Sequence, residues 1–327
     1  MRQISAFFLV SIIVLLSLMT NIQAEPGMLI STRGKGIQPR ASESIIAFLT
    51  HESTVDKDIN GDGDTSDYFY RYYDILNRTI NDTDGIGSWG TTSGSLIAFH
   101  THEHMLGEDL NGNGVMYDVV IRYLDILNGE VINTGEVGYY PSVSGSIIAF
   151  WKDHGIWYYD TSTGSVTETG ANAILAYSGS WFSGVTLAFS QKLEGSNVFE
   201  IGYYDMVTRG ITNTGLAGTL PSVSGSIIAF QTEEAALGED LNSDGDTNDI
   251  VVRYFDISTS EVTSTGAVGD HPSVSGSIIA FHTKEVAYGG DLNGDGDTND
   301  IVVRYFDVST NAVTNFGDAV LCSGYPS

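Results

Sequence analysis

The sequence predicts an all-β chain, a six-bladed β-propeller of four-stranded antiparallel blades, and three observations carry that expectation. First, the phrase PSVSGSIIAF stands at Pro141–Phe150, Pro221–Phe230 and Pro272–Phe281, with weaker copies at Pro39–Phe48, Gly90–Phe99 and Ser180–Phe189. Second, the closing Phe falls at 48, 99, 150, 189, 230 and 281, so six units recur at spacings of 51, 51, 39, 41 and 51 residues. A blade period of about 40 plus an insertion of about ten residues in some units accounts for both spacings. Third, β-branched and aromatic runs alternate with Gly, Pro, Asn and Asp, and no segment after the N-terminal stretch keeps a helical period. A linear β-solenoid is the rival, with rungs of roughly 20 to 30 residues.

The last unit shows the elements in order: a short inner strand at Pro272–Val274, a second at Ser277–Thr283, a third at Ile301–Val308 and an outer strand at Val313–Phe316. Repeating this pattern gives units at about 39–89, 90–140, 141–179, 180–220, 221–271 and 272–327. Ahead of them, residues 1–24 carry Arg2, an apolar run from Phe7 to Met19 and small or polar residues at Asn21–Ala24. This reads as a secretory signal peptide cut after Ala24, leaving 25–327 as the propeller. A retained membrane anchor is the alternative, although the run is short of the roughly 20 residues that span a bilayer. Met28–Thr32 aligns with an outer strand and is expected to clasp the last blade, while Tyr325–Ser327 looks like the opening of another unit.

PSVSGSIIAF followed by VVRYFDISTSEVTSTG resembles the repeat of the TolB-type six-bladed β-propellers over nearly all of residues 25–327. That family's Pro-Ser-Trp-Ser-Pro-Asp-Gly is altered here: Val143, Val223 and Val274 replace the Trp, and the turn is shortened. The resemblance implies a protein-binding platform of the envelope, in a wider group that includes peptidase accessory domains and lyases.

Charge narrows the partners. Forty-one acidic against 14 basic residues give a net charge of −27, which repels nucleic acid and anionic lipid and attracts cations. Cys322 is the only cysteine, so no disulfide forms within one chain.

The acid is concentrated in the insertions. Three units carry D-x-N-x-D-G-D-x-x-D: Asp58, Asn60, Asp62, Asp64 and Asp67; Asp240, Asn242, Asp244, Asp246 and Asp249; Asp291, Asn293, Asp295, Asp297 and Asp300. Calcium takes 6 to 8 oxygens at about 2.3–2.6 Å, and alternating side chains on a tight loop converge on such a centre. The pattern resembles the start of an EF-hand and the calcium loops of integrin-type propellers. It lacks a Glu at position 12, where Phe69, Val251 and Val302 stand, so Asp67, Asp249 and Asp300 are expected to complete coordination. The alternative is an Asx-rich turn with no ion. A fourth loop, Asp109–Asp118, has Asn113 and Val115 at positions 5 and 7 and is expected to bind weakly or not at all.

Each unit with an insertion also has an Arg thirteen residues after the first Asp (Arg71, Arg122, Arg253, Arg304), expected to reach an acidic side chain of its loop or of a neighbouring blade. His100, His102 and His104 alternate and form a second, weaker candidate for a metal. No nucleophile elbow, H-E-x-x-H or phosphate-binding glycine loop is present. The reading is an exported, calcium-stabilised, non-enzymatic module that binds an envelope or extracellular protein or glycan at the cell surface. A polysaccharide lyase or hydrolase is the alternative; it requires clustered, unit-specific polar residues on the inner strands. A passive envelope component is the third.

Overall fold

A computed structural model describes residues 36–173, 181–192, 195–196 and 198–320, with side chains as far as 316. They form two compact units, one through Thr169 and one from Gly170. The signal-peptide and clasp segments, 1–24 and Met28–Thr32, lie outside the described residues, as does the 325–327 end. No helix among the described residues is long and apolar enough to cross a membrane.

Each unit holds three four-stranded antiparallel sheets in sequential strand order. In the first they are β1 (Ile37–Ala41), β2 (Ile45–His51), β3 (Tyr68–Asp74) and β4 (Thr79–Ile86); β5 (Ser88–Ser93), β6 (Leu96–His102), β7 (Val119–Asp125) and β8 (Glu130–Val137); and β9 (Tyr139–Ser144), β10 (Ile147–Lys152), β11 (Gly155–Asp160) and β12 (Ser165–Asn172). In the second they are β13 (Phe182–Ser183), β14 (Thr186–Lys192), β15 (Phe199–Asp205) and β16 (Gly210–Ala217); β17 (Thr219–Ser224), β18 (Ile227–Glu233), β19 (Ile250–Asp256) and β20 (Glu261–Val268); and β21 (Asp270–Ser275), β22 (Ile278–Lys284), β23 (Ile301–Asp307) and β24 (Ala312–Val320). The last sheet thus has its own outer strand.

The near-continuous apolar run of the repeat follows from burial on both faces. In β6, Ile97, Ala98 and Phe99 are fully buried. Ile97 and Phe99 meet Ile45, Ala47 and Leu49 of the preceding sheet, while Ala98 faces Val143, Ile148 and Phe150 of the next. Large side chains of one sheet therefore pack on the alanine of its neighbour, and each buried Phe contributes about 1.5–3 kcal/mol. The same packing joins Ala229 to Ile279 and Phe281 in the second unit.

Polar clips add to this. The Ser222 and Ser224 hydroxyls accept the N–H groups of Val274 and Gly276 at 3.1 Å. Thr283 donates to the Val268 carbonyl of the preceding sheet at 2.7 Å. Within each unit a single glycine makes the step from one sheet to the next: Gly138 donates to the Val119 carbonyl (2.9 Å) and Gly269 to that of Ile250 (2.8 Å).

The sheets open two residues before the repeated phrase, a correction to the expected inner strand. β21 starts at Asp270, not Pro272, and is bulged: between the pairs Asp270↔His282 and Ser273↔Ala280, His271 and Pro272 stand opposite Phe281 alone. A bulge has no use for the N–H that proline lacks, which explains the phrase's opening residue. Bulge residues Gln38, Trp89, Tyr140, Leu220 and His271 all adopt φ of 50–53°.

Candidate functional site

The acidic insertions sit between the second and third strands of their sheets, and each is organised by a buried carboxylate that the loop pattern did not reveal. Glu52, Glu103, Glu234 and Glu285 are fully buried, each six residues ahead of its loop's first Asp. Glu285 Oε1 accepts the N–H groups of Leu292 (2.6 Å) and Asn293 (3.2 Å), and Oε2 that of Asp300 (3.4 Å). Glu234 does the same with Leu241, Asn242 and Asp249. The first and last turns of the loop are thereby drawn together. The first Asp closes the interior: Asp291 accepts from Gly294 (2.6 Å) and Gly296 (3.0 Å), and Asp240 from Ser243 (2.6 Å) and Gly245 (3.0 Å). At Gly296, φ of 101° requires glycine.

Carboxylates converge as a result. Ligand oxygens of Glu234, Asp246 and Asp249 lie within 4.8 Å of one another, and so do those of Glu285, Asp297 and Asp300. The Glu thus adds a carboxylate to the cluster from the short helical turn that follows the second strand, where the loop itself has no acid at position 12. Burial, then the neighbouring Asp244, pushes the Asp249 carboxyl up; burial and Asp295 do the same at Asp300. Burial also raises Asp67, against the pull of the Asn60 amide. Asn60, Asn242 and Asn293 donate their amide N–H groups to Asp67 (2.6 Å), Asp249 (2.9 Å) and Asp300 (3.2 Å), partly offsetting the charge. In the first loop the Ser66 N–H and hydroxyl both donate to Asp64, at 2.7 and 2.5 Å. Four aspartates of one loop, crowded with the buried Glu that precedes it, suit a hard divalent cation with oxygen ligands.

The fourth loop shows the contrast. It keeps the skeleton, with Glu103 accepting from Leu110 (2.7 Å) and Asp118 (3.0 Å), but both Asn111 and Asn113 donate amides to Asp118, at 2.8 and 2.5 Å. This loop carries two aspartates where the others carry four, so less negative charge is gathered there, and neutral amides solvate Asp118.

The arginine expectation is corrected. Arg71 alone of the four makes an ion pair, with Asp82 (2.6 Å), and Asp82 belongs to the outer strand of the same sheet rather than to the loop or a neighbouring sheet. Arg304 donates to the neutral Asn315 (2.9 Å) and stacks on Tyr288 at 5.0 Å. The four arginines stand opposite Phe48, Phe99, Phe230 and Phe281 across the second and third strands. Polar side chains of the outer strands hold the loop base instead: Asn133, Ser264 and Asn315 donate to the carbonyls of Leu110, Leu241 and Leu292 at 2.6, 3.0 and 3.3 Å.

A second kind of candidate position is the bulge at the start of the inner strand. Within a frame that otherwise repeats, the pairs Ile37–Gln38, Ser88–Trp89 and Tyr139–Tyr140 of the first unit and Thr219–Leu220 and Asp270–His271 of the second all differ from one another. Non-glycine residues at positive φ carry strain and gather at functional sites. In the first unit Trp89 meets Tyr140 edge-on at 5.4 Å, and Tyr139 meets Trp151 at 6.0 Å. His100 is not free to bind a metal: its Nδ1 accepts the Tyr140 N–H (3.2 Å), its Nε2 faces the Ser88 hydroxyl (3.0 Å), and burial lowers its pKa to about 3. Gln231 repeats that contact in the second unit, accepting the His271 N–H at 2.8 Å.

No family model and no curated protein matches the chain. Among solved structures, the β-propeller domain of the Trilobed protease from Pyrococcus furiosus matches with a TM-score of 0.55, 10% identity, and coverage of 86% of this chain and 84% of that one. The fold is a six-bladed β-propeller. The acylaminoacyl peptidase of Pyrococcus horikoshii matches with a TM-score of 0.52 and 10% identity over 86% of this chain, which spans 45% of that enzyme's length. TolB from Acinetobacter baumannii matches with a TM-score of 0.41 and 14% identity over 77% of this chain and 66% of TolB. The two Pyrococcus proteins share the fold with this chain, and identities of 10–14% assign it to no family.

Proposed function

We propose that the chain is an exported, calcium-stabilised β-propeller that binds a protein or glycan at the cell surface or envelope through its bulged inner-strand ends. The observation that supports a binding role is the variation at those bulges, where strained backbone displays different side chains in a frame that otherwise repeats. Trp89, 37% exposed, together with Tyr139, Tyr140 and Trp151, offers rings for stacking on a sugar or an apolar side chain. Calcium would be held by Glu52, Glu234 and Glu285 with the aspartates of their loops, bracing the loops without taking part in chemistry. Export rests on the character of residues 1–24.

The test is a glycan array and an envelope pull-down with and without calcium, comparing the parent with the W89N/Y140N variant. Asparagine accepts the left-handed backbone at both positions. Binding should weaken by about tenfold or more in the variant with its melting temperature kept. Equal binding by parent and variant would contradict the assignment. One observation favours the lyase or hydrolase reading: among the described residues, the combination of Asp270, His271 and His282 occurs in the last sheet alone. Shortening of an array glycan on incubation would support that reading instead.

A further inference from the structure

We propose that Asp270, His271 and His282 form a site for a divalent transition metal, separate from the acidic loops and of different chemistry. One ligand atom from each side chain lies within 4.8 Å of the other two. His271 Nδ1 is 3.0 Å and His282 Nδ1 3.9 Å from Asp270 Oδ1. Tetrahedral ligands at metal distances of about 2.0–2.1 Å stand about 3.3 Å apart, so small side-chain rotations bring the three atoms onto one ion.

The polar state of His282 points the same way. Its side chain is 12% exposed, Nε2 is buried without a partner, and the 3.9 Å approach to Asp270 is too long for a hydrogen bond. Among the described residues the ring makes no hydrogen bond, so Nδ1, the nitrogen turned toward Asp270, has no competing partner for an ion, while Nε2 lies across the ring. Two imidazoles and one carboxylate suit zinc and its first-row neighbours, whereas the all-oxygen loops suit calcium. Lys284 Nζ stands 3.9 Å from Asp270 Oδ2, but its side chain is 57% exposed and free to turn to solvent as a cation arrives.

The ligand set belongs to one sheet. Where β21 and β22 place Asp270 opposite His282, the corresponding pairs are Thr219–Gln231, Tyr139–Trp151, Ser88–His100 and Ile37–Leu49. The bulge, locked by the His271 N–H to Gln231, puts a third ligand beside that pair. Three protein ligands leave the remaining positions to water or to an anionic group of a bound ligand.

The test titrates zinc into the full chain in excess calcium, so that the acidic loops are already filled, and repeats it with D270T, H271N and H282Q. Thr and Gln are what the preceding sheet carries at these places, and Asn tolerates the φ of 52° at His271. The parent should bind one zinc per chain, with affinity reduced by about tenfold or more in each variant. Cobalt substituted for zinc should give a visible absorption band that H271N and H282Q abolish. Absence of zinc binding by the parent, or equal affinity and an unchanged cobalt spectrum across properly folded variants, would overturn the site. Should H282Q fail to fold, H271N, on the more open imidazole, decides the question by the same two readouts.

Discussion

Glu285→Ala is expected to destabilise the protein by about 3 kcal/mol or more, because three backbone N–H groups lose their only carboxylate in a place closed to water. For a chain of this size that lowers the melting temperature by about 4 °C or more. Glu285→Gln should cost less, since its amide oxygen still accepts from Leu292 and Asn293 while its NH2 opposes the Asp300 N–H. Glu103→Ala separates structure from ion binding. It removes the same kind of backbone acceptor from a loop with two aspartates in place of four, so its effect should not depend on calcium, whereas that of Glu285→Ala should grow when calcium is added. Thermal melts of the three variants with calcium and with chelator check this. Equal losses for Glu103→Ala and Glu285→Ala in both conditions would mean that the glutamates only tie the loops.

Gly269→Ala should be as damaging by a different route. A Cβ there would lie 2.5 Å from a ring carbon of Phe281 and 2.7 Å from the His282 carbonyl oxygen. The ring has nowhere to go, since Phe281 is fully buried, and the carbonyl belongs to a paired strand. Overpacking that displaces backbone is expected to cost about 3 kcal/mol or more. Gly276→Ala is the control: its φ of 57° makes alanine unfavourable, but no atom stands within 4 Å, so about 1–2 kcal/mol is expected. Denaturant unfolding of both variants measures the difference. Gly36, Gly87, Gly138 and Gly218 make the same close approach to Phe48, Phe99, Phe150 and Phe230, whereas Phe189 is approached by Gly202 of the third strand.

The repeat was legible because the residues that pack between sheets, the Ile-Ile-Ala-Phe run and its serines, must be alike wherever identical neighbours stack. The same logic hid the inner-strand ends. Asp270–His271 and Tyr139–Tyr140 share no residue type, so the pattern seemed to begin at the proline, although the strand is already paired two residues earlier. The loop aspartates were visible from their spacing alone. The glutamates were not, because each opens the short helical turn after a second strand, outside the loop pattern. Their signal was a Glu six residues ahead of the first Asp in every unit with an insertion, and in neither unit without one. The arginines carried a true correlation and a wrong cause. They accompany the insertion, yet three of the four make no ion pair, because the residue opposite on the outer strand is Asn133, Ser264 or Asn315 rather than an acid.

Calcium binding to the loops is the claim on which the stabilisation rests, and calorimetric titration of the chelator-treated chain with calcium tests it most directly. Three ions per chain are predicted, assigned to Asp58–Asp67, Asp240–Asp249 and Asp291–Asp300. D62A, D244A and D295A should each remove one, and N113A none. A chain that takes up no calcium, or that loses as much with N113A as with the three aspartate variants, would contradict the account.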